Sequence, residues 1–122
     1  MNALTNVHKY ILFALGCWYS EANRKIKDKN LEIAISKSLF IDMMMKSCLA
    51  GKKERALYKN LEELEKRKLI GYSNRNISLT KKGMREFEKI DNEISPYTNL
   101  KNILNSKDPF SYTRRIQTKL KY

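Results

Sequence analysis

Several residue types are scarce in this chain, and each scarcity closes off a class of chemistry. There are four glycines, at 16, 51, 71 and 83, and they form no cluster. A phosphate-cradling glycine loop is therefore excluded. There is one histidine, His8, so no Ser/His/Asp arrangement can be assembled around a second base. His8 lies on the apolar stripe of an N-terminal helix pattern and is expected to be a packed, hydrogen-bonded core residue. The two cysteines, Cys17 and Cys48, form no CxxC motif and have no histidine neighbour. Neither a metal site nor a disulfide framework is expected. Both lie in apolar, helix-like runs, so buried, reduced thiols in a cytoplasmic protein are the expectation. No pair of carboxylates stands out, no cofactor motif is present, and no enzymatic activity is expected.

Long apolar runs are also missing. The most apolar stretch, Tyr10 to Tyr19, is ten residues long, about half of what spans a bilayer. Only Lys9 would give it a basic start, and no small-residue cleavage site follows, so it reads as a core helix with no membrane role. Acidic residues are few. Lys plus Arg number 25 against 13 Asp plus Glu, a net charge of +12 in 122 residues. Such an excess suits a polyanionic partner, since neutralising phosphates releases condensed counterions. Nucleic acid, an anionic membrane surface and an acidic protein all satisfy it. The length suits one domain with its own core.

The periodicity predicts mostly helix. Leu4, Val7, His8, Ile11, Leu12, Leu15, Trp18 and Tyr19 mark one stripe of a first helix over residues 4–20. Tyr10, Phe13, Ala14 and Cys17 make its opposite side apolar as well, which calls for cover on both sides. Residues 21–30 read as a basic loop or frayed helix end. Leu31 to Ile35 alternate like a short strand. Ser36 is a suitable N-cap for a second helix over 37–49, which Gly51 would end. Residues 53–68 form a third helix with Leu57, Leu61 and Leu64 inward. At about 100° per residue, Arg55, Lys59, Glu62 and Lys66 then point outward. Residues 70–79 read as a hairpin turning at Asn74-Arg75, with Tyr72 opposite Ile77 and Ile70 opposite Leu79. Thr80 would cap a fourth helix carrying Gly83, Met84, Phe87, Ile90 and Ile94 inward. Ser95-Pro96 would open a fifth, with Leu100, Ile103 and Leu104 apolar. Asp108-Pro109 would open a last one, with Phe110, Ile116 and Leu120 apolar.

Two segments resemble a known family. Ala56-Leu-Tyr-Lys-Asn-Leu-Glu-Glu-Leu-Glu-Lys-Arg-Lys-Leu-Ile70 resembles the recognition helix of archaeal and bacterial winged helix-turn-helix transcription regulators. Leu79-Thr-Lys-Lys-Gly83 resembles their exit from the wing into the next helix. The resemblance covers residues 31–92 well and Leu4 to Ser20 loosely, and does not reach 95–122. Lys68 stands where many relatives carry glycine.

That resemblance implies a mainly α fold with a small β-hairpin wing: a winged-helix domain over 1–94 and a helical extension over 95–122. It implies double-stranded DNA as partner, with the third helix in the major groove. Arg55 would fork onto a guanine edge and Lys59 would reach guanine or phosphate. Lys52 and Lys53 would meet a phosphate strand. Ser36 and Lys37 would present the amide-rich start of the second helix to a phosphate. Asn74 and Arg75 tip the wing. Glu62 would accept from a cytosine amino group or pair with Lys66 four residues on. A homodimer is expected, held through Tyr10, Phe13 and Cys17 of the first helix and Leu100, Ile103, Leu104, Phe110 and Ile116 of the extension. The competing expectation is a winged-helix module that meets an acidic protein or RNA within a larger complex.

Overall fold

The structure is a computed structural model that describes residues 3–26, 33–49 and 53–106. In chain order these form α1 (Asn6–Lys25), β1 (Ile35–Ser36), α2 (Lys37–Ser47), α3 (Glu54–Lys66), β2 (Ile70–Ser73), β3 (Asn76–Leu79) and α4 (Lys81–Ser106). The described chain is mainly helical, with one small antiparallel sheet in the order β1-β3-β2. The chain divides into two compact units, Met1–Asp91 and Asn92–Tyr122. The expected helix opened by Asp108-Pro109 lies outside the described residues, as do Leu31 and Gly51.

The core of the first unit is assembled from one face of each helix. Ile11, Leu12 and Leu15 come from α1, Phe40, Ile41 and Met44 from α2, and Leu57, Leu61 and Leu64 from α3. Ile70 and Ile77 add the inner face of the sheet, and Phe87 and Ile90 add α4. Each such side chain contributes about 1.5–3 kcal/mol on leaving water.

Helix α1 starts later and ends later than its apolar pattern suggests. Thr5 caps it: the His8 N–H donates to Thr5 Oγ1 at 3.1 Å, and the Thr5 N–H donates back to His8 Nδ1 at 3.3 Å. With Nδ1 accepting, the other ring nitrogen carries the proton, and Nε2 reaches Glu63 Oε1 on α3 at 3.3 Å. His8 is buried, so this one residue both caps α1 and ties it to α3. At the far end the helix continues through residues read as a loop. Arg24 and Lys25 lie in its last turn, where positive charge opposes the helix dipole, and Arg24 pairs with Glu21. That contact lowers the Glu21 carboxyl below its ordinary range and raises the Arg24 guanidinium.

The cysteines are not buried as expected. Both Cys17 and Cys48 are exposed and free. Cys48 takes a left-handed backbone, φ 56°, and its N–H caps the carbonyls of Met44 and Met45. Helix α2 therefore ends at Ser47, before the expected Gly51. Cys17 lies on the outer side of α1; partial burial, and secondly the negative Asp91, raise its thiol pKa.

The hairpin has the register its alternation predicts, Ile70 opposite Leu79 and Tyr72 opposite Ile77. Asn74 and Arg75 both adopt positive φ, 51° and 66°, as a two-residue turn matched to strand twist requires. The third strand is only Ile35–Ser36, paired with Ile77 and Asn76, and is shorter than the alternation suggested. Lys68 also has positive φ, 62°. The chain leaves α3 through the very conformation that suits glycine, so the lysine carries a local backbone cost of about 1 kcal/mol or more.

At the start of α4, Thr80 Oγ1 donates to the Lys68 and Leu69 carbonyls at 2.8 and 2.9 Å and accepts the Gly83 N–H at 3.0 Å. One hydroxyl thus caps α4 and locks it to the exit of α3. Pro96 does not open a new helix: α4 runs through it without a break. A proline's fixed φ fits a helix, and its cost is one lost N–H and crowding of the carbonyl four residues back. That carbonyl belongs to Asn92, where the second unit begins.

Candidate nucleic-acid interface

Helix α3 separates its two faces cleanly. Leu57, Leu61 and Leu64 are buried, while Arg55, Lys59, Glu62 and Lys66 are exposed. Lys53 is the N-cap residue and is exposed; its side chain makes no capping bond. The Asn60 amide donates back to the Ala56 carbonyl at 2.7 Å, so it is occupied within the helix. Glu62 and Lys66 form no ion pair with each other, unlike Asp42 and Lys46 at the same spacing on α2.

A second group of residues converges from β1, α2, α3, β2 and the hairpin turn. Ser36, Lys37, Ser38, Tyr58, Tyr72 and Arg75 line an open hollow of about 540 Å³. Ser36 caps α2 by accepting the Leu39 N–H at 3.4 Å, and its hydroxyl is 3.0 Å from that of Ser38. The Lys37 N–H donates to the Arg75 carbonyl at 2.9 Å, which ties the hairpin turn to the first residue of α2. The Lys37 ammonium lies over two rings, 5.1 Å from the centroid of Tyr58 on α3 and 4.6 Å from that of Tyr72 on β2. Both rings present their negative faces to the cation, which holds a normally free side chain in one place. Two cations and the two serine hydroxyls around one opening suit an anionic oxygen. No base is poised there for proton transfer.

The neighbourhood is not uniformly positive. Lys37 and Tyr72 also border a narrow crevice that carries Glu62 and Glu65. These carboxylates lie toward the C-terminal half of α3, whereas Lys53 is its N-cap and Arg55 and Lys59 lie in its first half, together with Glu54 in the first turn.

No family model, curated protein or solved structure matches this chain. Its functional reading therefore rests on residue chemistry and geometry.

Of the expected contact residues, Ser36, Lys37 and Arg75 meet in the hollow, with the exposed Asn74 beside them at the turn. Lys53, Arg55, Lys59 and Glu62 lie outside it along α3, and Lys52 lies outside the described residues. The sequence reading missed Ser38, Tyr58 and Tyr72. Nothing in local spacing connects two tyrosines fourteen positions apart to a lysine on another helix; only the packing of α3 against the sheet does. Among the described residues, no group of His, Cys, Asp and Glu could hold a metal ion, and no helix is long and apolar enough to cross a membrane. Of the expected dimer residues, Tyr10 and Cys17 are exposed, and Phe13 is half-buried against Phe87 with ring centroids 6.0 Å apart. Leu100, Ile103 and Leu104 are exposed on α4, and Phe110 and Ile116 lie outside the described residues.

Proposed function

We propose that this protein is a winged helix-turn-helix regulator of transcription that binds double-stranded DNA in the cytoplasm. The element order, helix, short strand, two helices, hairpin, helix, supports the fold. The observation that carries the function is the convergence of Lys37, Arg75 and the hydroxyls of Ser36 and Ser38 beside the cationic first half of α3.

In this reading the N-terminal half of α3 enters the major groove. Arg55 forks onto a guanine edge, where its planar donors match O6 and N7, and Lys59 reaches guanine or phosphate. Lys53 neutralises a phosphate at the groove edge. Lys37, restrained by its two rings, meets another phosphate with less side-chain entropy to lose than a free lysine. Arg75 brings the wing to the backbone. Glu62, Glu63 and Glu65 repel phosphate and limit how deeply the C-terminal half of α3 enters. The protein supplies position and charge, and performs no chemistry on the DNA.

Fluorescence anisotropy of a mixed-sequence duplex, titrated at rising salt, tests this. The logarithm of affinity should fall linearly with the logarithm of salt, by about 0.9 per phosphate neutralised. Several phosphates should be released, and duplexes selected from a random pool should share one preferred site. Absence of binding, or binding without a salt slope, refutes the proposal. A steep slope with no site preference would favour an RNA or acidic-protein partner.

A further inference from the structure

Duplex phosphates use only part of the hollow formed by the start of α2, α3 and the hairpin. Its two cations are open to an anion: among the described residues, neither Lys37 nor Arg75 is in an ion pair. The Ser36 and Ser38 hydroxyls line the same opening. So do two aromatic rings. Tyr58 and Tyr72 flank the Lys37 ammonium at 5.1 and 4.6 Å, yet Tyr72 is still 42% exposed. The paired and stacked bases of a duplex cannot reach such a ring. An unstacked base can, because every base has a flat π-face that packs on an aromatic side chain. The hollow's volume of about 540 Å³ falls within the roughly 300–1,000 Å³ of small-molecule sites.

We propose that this hollow is a nucleotide monophosphate site, in which Lys37, Arg75 and the serine hydroxyls hold one phosphate and one unstacked base packs on Tyr72. Neither half of such a ligand accounts for the lining by itself. A bare phosphate leaves the exposed surface of Tyr72 unused. An uncharged aromatic molecule lies beside two cations with no counter-charge to offer them. Lys37 serves both halves: its ammonium meets the phosphate, and its position 4.6 Å from the Tyr72 centroid keeps phosphate and base within the span of one nucleotide. Glu62 and Glu65 border the adjoining crevice, so the anion is confined to the Arg75 side of Lys37. A free mononucleotide and the end of a single strand present the same chemistry. The site overlaps the phosphate contacts of the duplex reading but does not depend on them.

The test is isothermal titration calorimetry of the full chain at low salt. The probes are deoxyadenosine monophosphate, deoxyadenosine, inorganic phosphate and a four-deoxyadenosine strand carrying a terminal phosphate. The mononucleotide should bind one to one, about tenfold or more tighter than either deoxyadenosine or inorganic phosphate, because base and phosphate are held together. Tyr72→Leu should abolish the advantage over inorganic phosphate while leaving phosphate binding and circular dichroism unchanged, and Tyr72→Phe should keep it. Lys37→Ala should weaken mononucleotide and phosphate alike. If the strand binds more tightly still and loses that gain in Tyr72→Leu, a strand end is the source of the nucleotide; otherwise a free nucleotide is. No binding of the mononucleotide, equal binding of inorganic phosphate, or an advantage that survives Tyr72→Leu overturns the proposal. No duplex enters these titrations, so their failure leaves the duplex reading standing, and a protein that fails to bind duplex can still pass them.

Discussion

Gly83→Ala sets two effects of opposite sign against each other. Residue 83 is in the first turn of α4, and replacing a helical glycine by alanine normally stabilises by about 1 kcal/mol. Here a Cβ would fall inside the van der Waals envelope of the Leu69 carbonyl oxygen, 2.8 Å from Leu79 Cδ1 and 3.1 Å from the Leu69 carbonyl carbon. The leucine side chain can turn away. The carbonyl cannot, because it accepts the Thr80 N–H at 3.2 Å and the Thr80 hydroxyl at 2.9 Å. To admit the methyl group, α4 must back away from the exit of α3 and stretch both bonds. Overpacking of this kind costs about 1–3 kcal/mol, and each weakened hydrogen bond removes about 1 kcal/mol more. After the propensity gain, the net loss should be about 2–4 kcal/mol. For a domain of this size that is a fall in Tm of roughly 10 °C. Thermal melts followed by circular dichroism at 222 nm, with urea titrations alongside, measure it. A Tm equal to or above the parent's would mean that helix propensity governs residue 83, and that the close approach of α4 to Leu69 is wrong.

The remaining predictions concern the DNA face and the exposed thiol. Arg55→Ala should leave the melting temperature unchanged, because Arg55 is exposed opposite Leu57, Leu61 and Leu64. It should cost about 1–3 kcal/mol of binding on the preferred site and less on random DNA, whereas Lys53→Ala should weaken both alike. Equal losses for Arg55→Ala on the two sequences would restrict its role to phosphate. Burial, and secondly Asp91, raise the Cys17 thiol pKa, so its thiolate forms at higher pH than that of an ordinary cysteine. In Cys48→Ser, the pH midpoint of iodoacetamide alkylation should therefore lie above that of a free thiol, and Asp91→Asn should bring it part of the way back. A midpoint at or below the free-thiol value would contradict the environment given to α1.

What the sequence determined by itself is local and periodic. The leucine spacing of α3 sets which side faces the core and leaves Arg55 and Lys59 outside, because a helix repeats every 3.6 residues whatever it packs against. The alternation of residues 70–79 sets the hairpin register, since a slip of one residue would turn its apolar set outward. Tertiary structure decided what depends on chain segments distant in sequence. The Thr80 hydroxyl finds its acceptors on Lys68 and Leu69 only because the hairpin folds α4 back on the end of α3. Lys37 gains its two tyrosine rings from α3 and β2, and His8 gains Glu63 from α3, through contacts that no spacing rule encodes. The cysteines stand in apolar runs yet are exposed, because a run that is apolar on all sides does not reveal which side the core will cover. Pro96 read as a helix start and lies within a helix instead: its ring removes one hydrogen bond, and local sequence does not say whether the turns on either side will outweigh that loss.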